Sequence, residues 1–137
     1  MSGPGATRTR PLPATRGDDV DNRTVRTREA GEGTSVVYIT GYLNSLLGEE
    51  VAQVVHEVLD TGRPRVVLNF EGTRLINSIG ISFIIGIVER MTERDGTLAF
   101  CSLNRINQEL FRLTGVSRHI RAFDSEEEAL AFFARSS

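Results

Sequence analysis

No lysine occurs anywhere in the 137 residues, and all 16 basic residues are arginine. A Schiff-base lysine, a catalytic lysine base and a Walker-type phosphate lysine are thereby excluded within this chain. Tryptophan is absent, and there is only one cysteine and two histidines. A single thiol, Cys101, permits neither an internal disulfide nor a thiolate metal cluster. It falls in a predicted strand, where a free thiol serves as a small buried hydrophobe. His56 and His119 lie far apart with no ligand spacing around either, so no metal site is expected. Long apolar runs are also lacking. The longest, near 79–88, is interrupted by Ser82 and falls short of the roughly 18 residues a bilayer span needs. The opening Met1-Ser2-Gly3-Pro4-Gly5 has no apolar signal-peptide core. The expectation is a cytoplasmic protein with no direct membrane insertion.

What is present suits one ordinary domain with a tail. The chain is 39% hydrophobic and 25% charged, enough apolar material for a core. Its net charge of −2 is unevenly spread. Arg8, Arg10 and Arg16 stand without an acid in the first 17 residues, and the remainder sets 13 arginines against 18 acids. A mildly acidic body argues against nucleic acid as a partner. Residues 1–20, rich in Gly, Pro, Thr and Arg, carry no apolar period and are predicted to be a disordered N-terminal tail. Residues 21–137 are predicted to form the folded domain.

Within that domain, strands are expected near 23–28 and over 34–40, joined by the glycine-containing turn at 29–33 as a hairpin. Leu47, Val51, Val54, Val55, Val58 and Leu59 share one face of a helix over about 46–61, which Gly62 and Pro64 end. A core strand follows at 66–70. A second helix starts at Ser78, apolar on nearly every side through Val88, which implies burial of its first half. Asp95-Gly96 stops it. A strand spans 97–102. A helix from about 105 carries Ile106, Leu110 and Leu113 at i, i+4 and i+7, with Asn104 as cap and Gly115 as stop. A short strand at 120–123 precedes a capping box, Ser125 with Glu128, that opens a last helix. The order predicts an α/β fold: a mixed sheet, N-terminal hairpin then strand–helix repeats, flanked by about four helices.

The chemistry on offer is sparse. Ser78 is not in a Gly-x-Ser-x-Gly elbow, and no oxyanion hole can be placed beside it. No glycine-rich loop precedes the helix for a phosphate cradle. Glu126-Glu127-Glu128 is best read as complement to a helix dipole. No catalytic residue, no cofactor and no enzymatic function are expected; a small hydrolase using Ser78 is the remote third reading. What remains is a serine at a helix mouth, read from spacing as the N-cap of that helix. A phosphate there would add about −1.5 to −2 charges to a neutral surface, enough to turn a partner away.

Several stretches in order carry a family resemblance: Val-Val-Leu-Asn-Phe-Glu-Gly-Thr from Val66, Leu-Ile-Asn-Ser-Ile-Gly-Ile from Leu75, and Arg-Asp-Gly-Thr-Leu-Ala-Phe-Cys ending at Cys101. Glu-Leu-Phe-Arg-Leu-Thr-Gly-Val follows from Glu109, and Asp-Ser-Glu-Glu-Glu-Ala-Leu closes the series. Together with Gly41-Tyr42-Leu43-Asn44, they resemble a STAS domain of the bacterial anti-sigma factor antagonist family over roughly residues 23–134. The resemblance implies a protein that captures an anti-sigma factor with serine kinase activity and so frees a sigma factor. It implies phosphorylation at Ser78 by that kinase and reversal by a PP2C-type phosphatase. The implied contact surface comprises Asn44, Asn77, Ser78, Ile79, Gly80 and Ser82. Two positions depart from the family pattern: Asn44 and Asn77 stand where the family carries acids. The second reading is a constitutive STAS scaffold or accessory subunit, stressosome-like or transporter-associated, not phosphorylated at Ser78.

Overall fold

The computed structural model describes residues 7–9 and 24–136. Ten regular strands and helices follow one another: β1 (Thr7–Thr9), β2 (Thr24–Glu29), β3 (Thr34–Thr40), α1 (Ser45–Asp60), β4 (Arg65–Gly72), α2 (Ser78–Glu93), β5 (Thr97–Cys101), α3 (Arg105–Thr114), β6 (Arg121–Phe123) and α4 (Glu126–Ser136). A single 3-10 turn, Val116–Arg118, links α3 to β6. The strands form one mixed sheet in sequence order. The β1–β2 and β2–β3 pairs are antiparallel, and β3 through β6 run parallel. The predicted α/β architecture is the one observed.

Alternation along β4 shows how the sequence divides the two faces. Val66, Leu68 and Phe70 point into the larger core with α1, α2 and α3, while Val67 points to a smaller core under α4. The larger core closes on three mutually edge-on rings, Phe70, Phe100 and Phe111, with centroids 5.2 to 5.5 Å apart. Each such ring, fully buried, contributes about 1.5–3 kcal/mol. Cys101 is buried in the smaller core, as its strand position implied.

Four expectations change. The span expected as a tail, residues 1–20, contains Thr7–Thr9, which pairs with β2, Thr7 opposite Arg28 and Thr9 opposite Arg26. An edge strand needs only backbone hydrogen bonds, so no apolar period announces it. The other residues of that span lie outside the described residues. Secondly, α2 is not buried all round. Ile81, Ile84, Ile87 and Met91 face the core, whereas Ile79 and Ile85 are exposed. Thirdly, α3 buries Asn107 and Phe111 and leaves Ile106 and Leu113 at 65% and 68% exposure. Fourthly, the last helix keeps its capping serine, with Glu128 N–H donating to Ser125 Oγ at 3.2 Å, but Glu128 returns its bond to the N–H of Asp124 rather than to that of Ser125.

Candidate functional site

The C-terminal ends of β3 and β4 run into two loops, 41–44 and 73–77, that the backbone joins side by side. Leu43 and Ile76 form a parallel bridge. Leu43 N–H donates to Leu75 O at 2.9 Å, and Asn77 N–H donates to Leu43 O at 3.1 Å. Two residues beyond the bridge on each strand, α1 and α2 begin. Their mouths are therefore held in register next to each other.

Each mouth is closed by asparagine. Asn44 Oδ1 accepts from Leu47 N–H at 3.1 Å, and Asn77 Oδ1 accepts from Gly80 N–H at 2.8 Å. Both residues have extended backbones, the conformation a cap requires. Ser78 is thus not the cap. It is the first helical residue of α2, exposed to solvent, with the cap one position earlier. The reason is geometric: a side-chain carbonyl at position 77 reaches the amide three residues on, and once it does, Ser78 takes helical backbone angles and turns its hydroxyl outward. Among the described residues nothing holds that hydroxyl. Ser82 Oγ donates to the backbone carbonyl of Ser78 at 3.2 Å, leaving the Ser78 side chain unengaged.

The remaining expected contact residues divide into surface and support. Ile79 is half exposed and Ser82 is exposed, so both offer surface beside Ser78. Gly80 is buried. A Cβ there would overlap the Leu43 carbonyl. Its role is to let α2 come down onto the 41–44 loop, and it presents nothing to a partner. A second close approach, absent from the sequence reading, is Gly48 on α1. A Cβ there would lie 2.6 Å from the Phe83 ring of α2, so Gly48 sets the spacing of the two helices. Tyr42, Leu46 and Leu75 are also exposed around Ser78. No local signal marked them, because each belongs to an apolar run whose other members are buried.

The 73–77 loop is fixed from behind as well. Thr73 Oγ1 donates to Ile39 O at 2.7 Å, and Asn107 Nδ2, fully buried, donates to Thr73 O at 3.1 Å. Asn104 Nδ2 reaches Arg74 O at 3.1 Å while its Oδ1 caps α3 through Asn107 N–H. The loop carbonyls take the donors of this buried amide and brace the loop, while Asn107 Oδ1 is buried with no partner among the described residues. The serine sits at the end of a braced segment.

The histidines lie elsewhere. His56 is on the α1 surface against Asp60 and Arg90, beside a groove of about 390 Å³ between α1 and α2. Cys101 is sealed under α4, and burial pushes its thiol up to about 11.

The mixed sheet, with three helices on one face, carries an exposed serine at a helix mouth, and the family model of the STAS domain matches residues 26–129. The chain belongs to the STAS domain family. This STAS domain is 26% identical over 102 residues, 74% of its length and 88% of the relative's, to BtrV of Bordetella bronchiseptica, provisionally named an anti-sigma factor antagonist. Its fold is shared with the phosphorylated form of the Bacillus cell fate determinant SpoIIAA: TM-score 0.64, 17% identity, covering 80% of this chain and 98% of that one. A sulfate transporter family protein from Wolinella succinogenes has the same fold at TM-score 0.64 and 19% identity, covering 75% of this chain and 86% of that one. Among the described residues, no helix of this STAS domain is long and apolar enough to cross a membrane.

Proposed function

We propose that this STAS domain is an anti-sigma factor antagonist whose partner is an anti-sigma factor with serine kinase activity. Ser78 is its phosphoacceptor and a PP2C-type phosphatase restores it. The observation that carries the reading is the division of labour at the α2 mouth. Asn77 does the capping, so Ser78 can gain or lose a phosphate without the helix losing its cap. Two neighbouring helix ends tolerate the added charge within the domain. The same charge, about −1.5 to −2, placed among exposed Tyr42, Leu46, Leu75 and Ile79, would be desolvated in any complex formed there. Phosphorylation in this arrangement weakens association without refolding the protein. BtrV, a sequence relative, supports this reading.

Incubation with the partner kinase and ATP, followed by peptide mass spectrometry, is expected to place phosphate on Ser78. Ser78→Asp should then lose binding to the kinase while Ser78→Ala keeps it. Equal binding by the two variants would instead favour the constitutive scaffold or transporter-accessory reading, to which the Wolinella succinogenes protein lends its fold.

A further inference from the structure

A glycine inside a helix weakens it relative to alanine, so its presence there calls for a physical reason. Among the described residues the other glycines have one. Gly31, Gly33, Gly41, Gly62 and Gly115 have positive φ. At Gly48, Gly72, Gly80 and Gly96 an added Cβ would lie under 3.0 Å from a neighbouring atom. Gly86 has neither reason. It is exposed in the middle of α2, its φ is not positive, and nothing lies within 4 Å of an added Cβ. Packing inside the domain does not require the missing side chain. Its absence instead keeps open the floor of the α1–α2 groove of about 390 Å³.

The rest of that floor is apolar, with Ala52 and Val55 on α1 and Phe83 and Ile87 on α2. Its two ends carry opposite charges. The Leu43–Ile76 bridge starts the helices in register, so Glu49 lies level with Ser82 at the end nearer the helix mouths. Arg90 lines the far end, about 12 Å further along α2. The Glu49 carboxylate has no partner among the described residues. Arg90 is held in place by a relay. Its Nη1 donates to His56 Nδ1 at 3.1 Å, which puts the ring proton on Nε2, 3.3 Å from Asp60 Oδ2. That bond occupies one N–H of the guanidinium and leaves the others for a ligand. The neighbouring charges are engaged or turned elsewhere. Arg94 is bonded to Asp60 at 2.9 Å and Glu57 accepts from Gln53 at 3.2 Å. Neither lines the groove, nor do Glu89 and Glu93.

We propose that the α1–α2 groove binds a short linear zwitterion with its carboxylate on Arg90, its ammonium on Glu49 and an apolar middle lying across Gly86. The charge pattern selects this class. A simple anion would leave the Glu49 end unmatched, and a simple cation would leave the Arg90 end unmatched. A guanidinium fixed by a relay presents its N–H fork to a carboxylate without further ordering. The groove volume falls in the range of small-ligand sites, which pair an apolar lining with a few placed polar groups. Gly86 lets the ligand lie against the helix backbone. The groove runs along the helices away from Ser78, and its use requires no phosphate there.

The probe is the unbranched eight-carbon ω-amino acid, titrated into the full ¹⁵N-labelled chain, with octanoate and octylamine as comparisons. The amino acid is expected to shift the amides of Ala52, Phe83, Gly86 and Ile87, with a dissociation constant of about 1 mM. Each single-ended comparison should bind about threefold more weakly. Gly86→Leu fills the floor and should abolish the shifts. It replaces a poor helix former where nothing crowds the Cβ, so the fold is kept, as circular dichroism will show. Glu49→Gln should reduce the amino acid to the affinity of octanoate, and Arg90→Gln to that of octylamine. Ile85→Ser, on α2 but outside the groove, should change nothing. Absence of shifts, shifts confined to other amides, a comparison compound bound as tightly as the amino acid, or an unaffected Gly86→Leu would each overturn the proposal.

Discussion

Asn77 and Ser78 are adjacent, both are good helix caps, and only one can serve. Composition ranks them nearly equal at an N-cap, so the choice rests on where the chain leaves the sheet, and that is set by the Leu43–Ile76 bridge. The bridge fixes residue 77 as the last extended one. Stability should report this directly. In urea unfolding, Asn77→Ala is expected to lose about 1 kcal/mol through the orphaned Gly80 N–H, and Ser78→Ala a few tenths. The reverse ranking would return the cap to the serine. Two glycines of the same helix make a second contrast. Gly80→Ala drives a Cβ into the Leu43 carbonyl, backbone that cannot move without breaking the bridge, so it should cost several kcal/mol. Gly86 has nothing within 4 Å of an added Cβ, and Gly86→Ala should stabilise the helix by up to about 1 kcal/mol. Both can be read from shifts in the denaturation midpoint.

At the level of elements, the order of strands and helices could be read from periodicity and punctuation, and the cap and stop of α3 were identified at Asn104 and Gly115. The orientation of α3 could not. Its apolar residues at 106, 110 and 113 suggest one inward face, but the helix turns Asn107 and Phe111 inward instead. Asn107 is polar, and burying it is favourable only because the carbonyls of Thr73 and Arg74 await its amide, more than 30 residues away in sequence. Local pattern cannot reveal a partner that distant. Removing the amide tests the account. Asn107→Ala should lose about 1–3 kcal/mol, and Asn107→Asp more, since a carboxylate cannot donate and would be an unpaired buried charge. Thermal unfolding followed by circular dichroism gives the ranking. Amide exchange should quicken across 73–77 in Asn107→Ala, because the loop loses its brace from behind.

For the whole molecule, the two faces of the sheet differ in kind. Three helices cover one face through a continuous apolar core, while α4 covers the other with Ala129 and Phe133 and a polar clasp. Glu126 is the centre of that clasp. It pairs with Arg28, accepts from Tyr38 Oη at 3.0 Å and from Asn69 Nδ2 at 3.0 Å. Burial raises the Tyr38 hydroxyl above its ordinary value, so it stays protonated and keeps donating. The sequence showed these acids only as a first-turn dipole complement, because their partners come from β2, β3 and β4. The core beneath α4 is the smaller of the two, so α4 should open before the rest of the domain. Cys101 lies under it, fully buried and with its thiol pushed up to about 11, so a thiol reagent at pH 8 meets almost no accessible thiolate until α4 lifts. The labelling rate of Cys101 therefore measures that lifting. Glu126→Ala deprives Arg28, Tyr38 and Asn69 of their shared acceptor. If the clasp holds the helix, labelling should rise tenfold or more, equivalent to about 1.4 kcal/mol of local opening. The exchange of amides in α1 and α2 should change far less. A uniform rise across all of them would mean that α4 is no separate unit and that the two cores unfold as one.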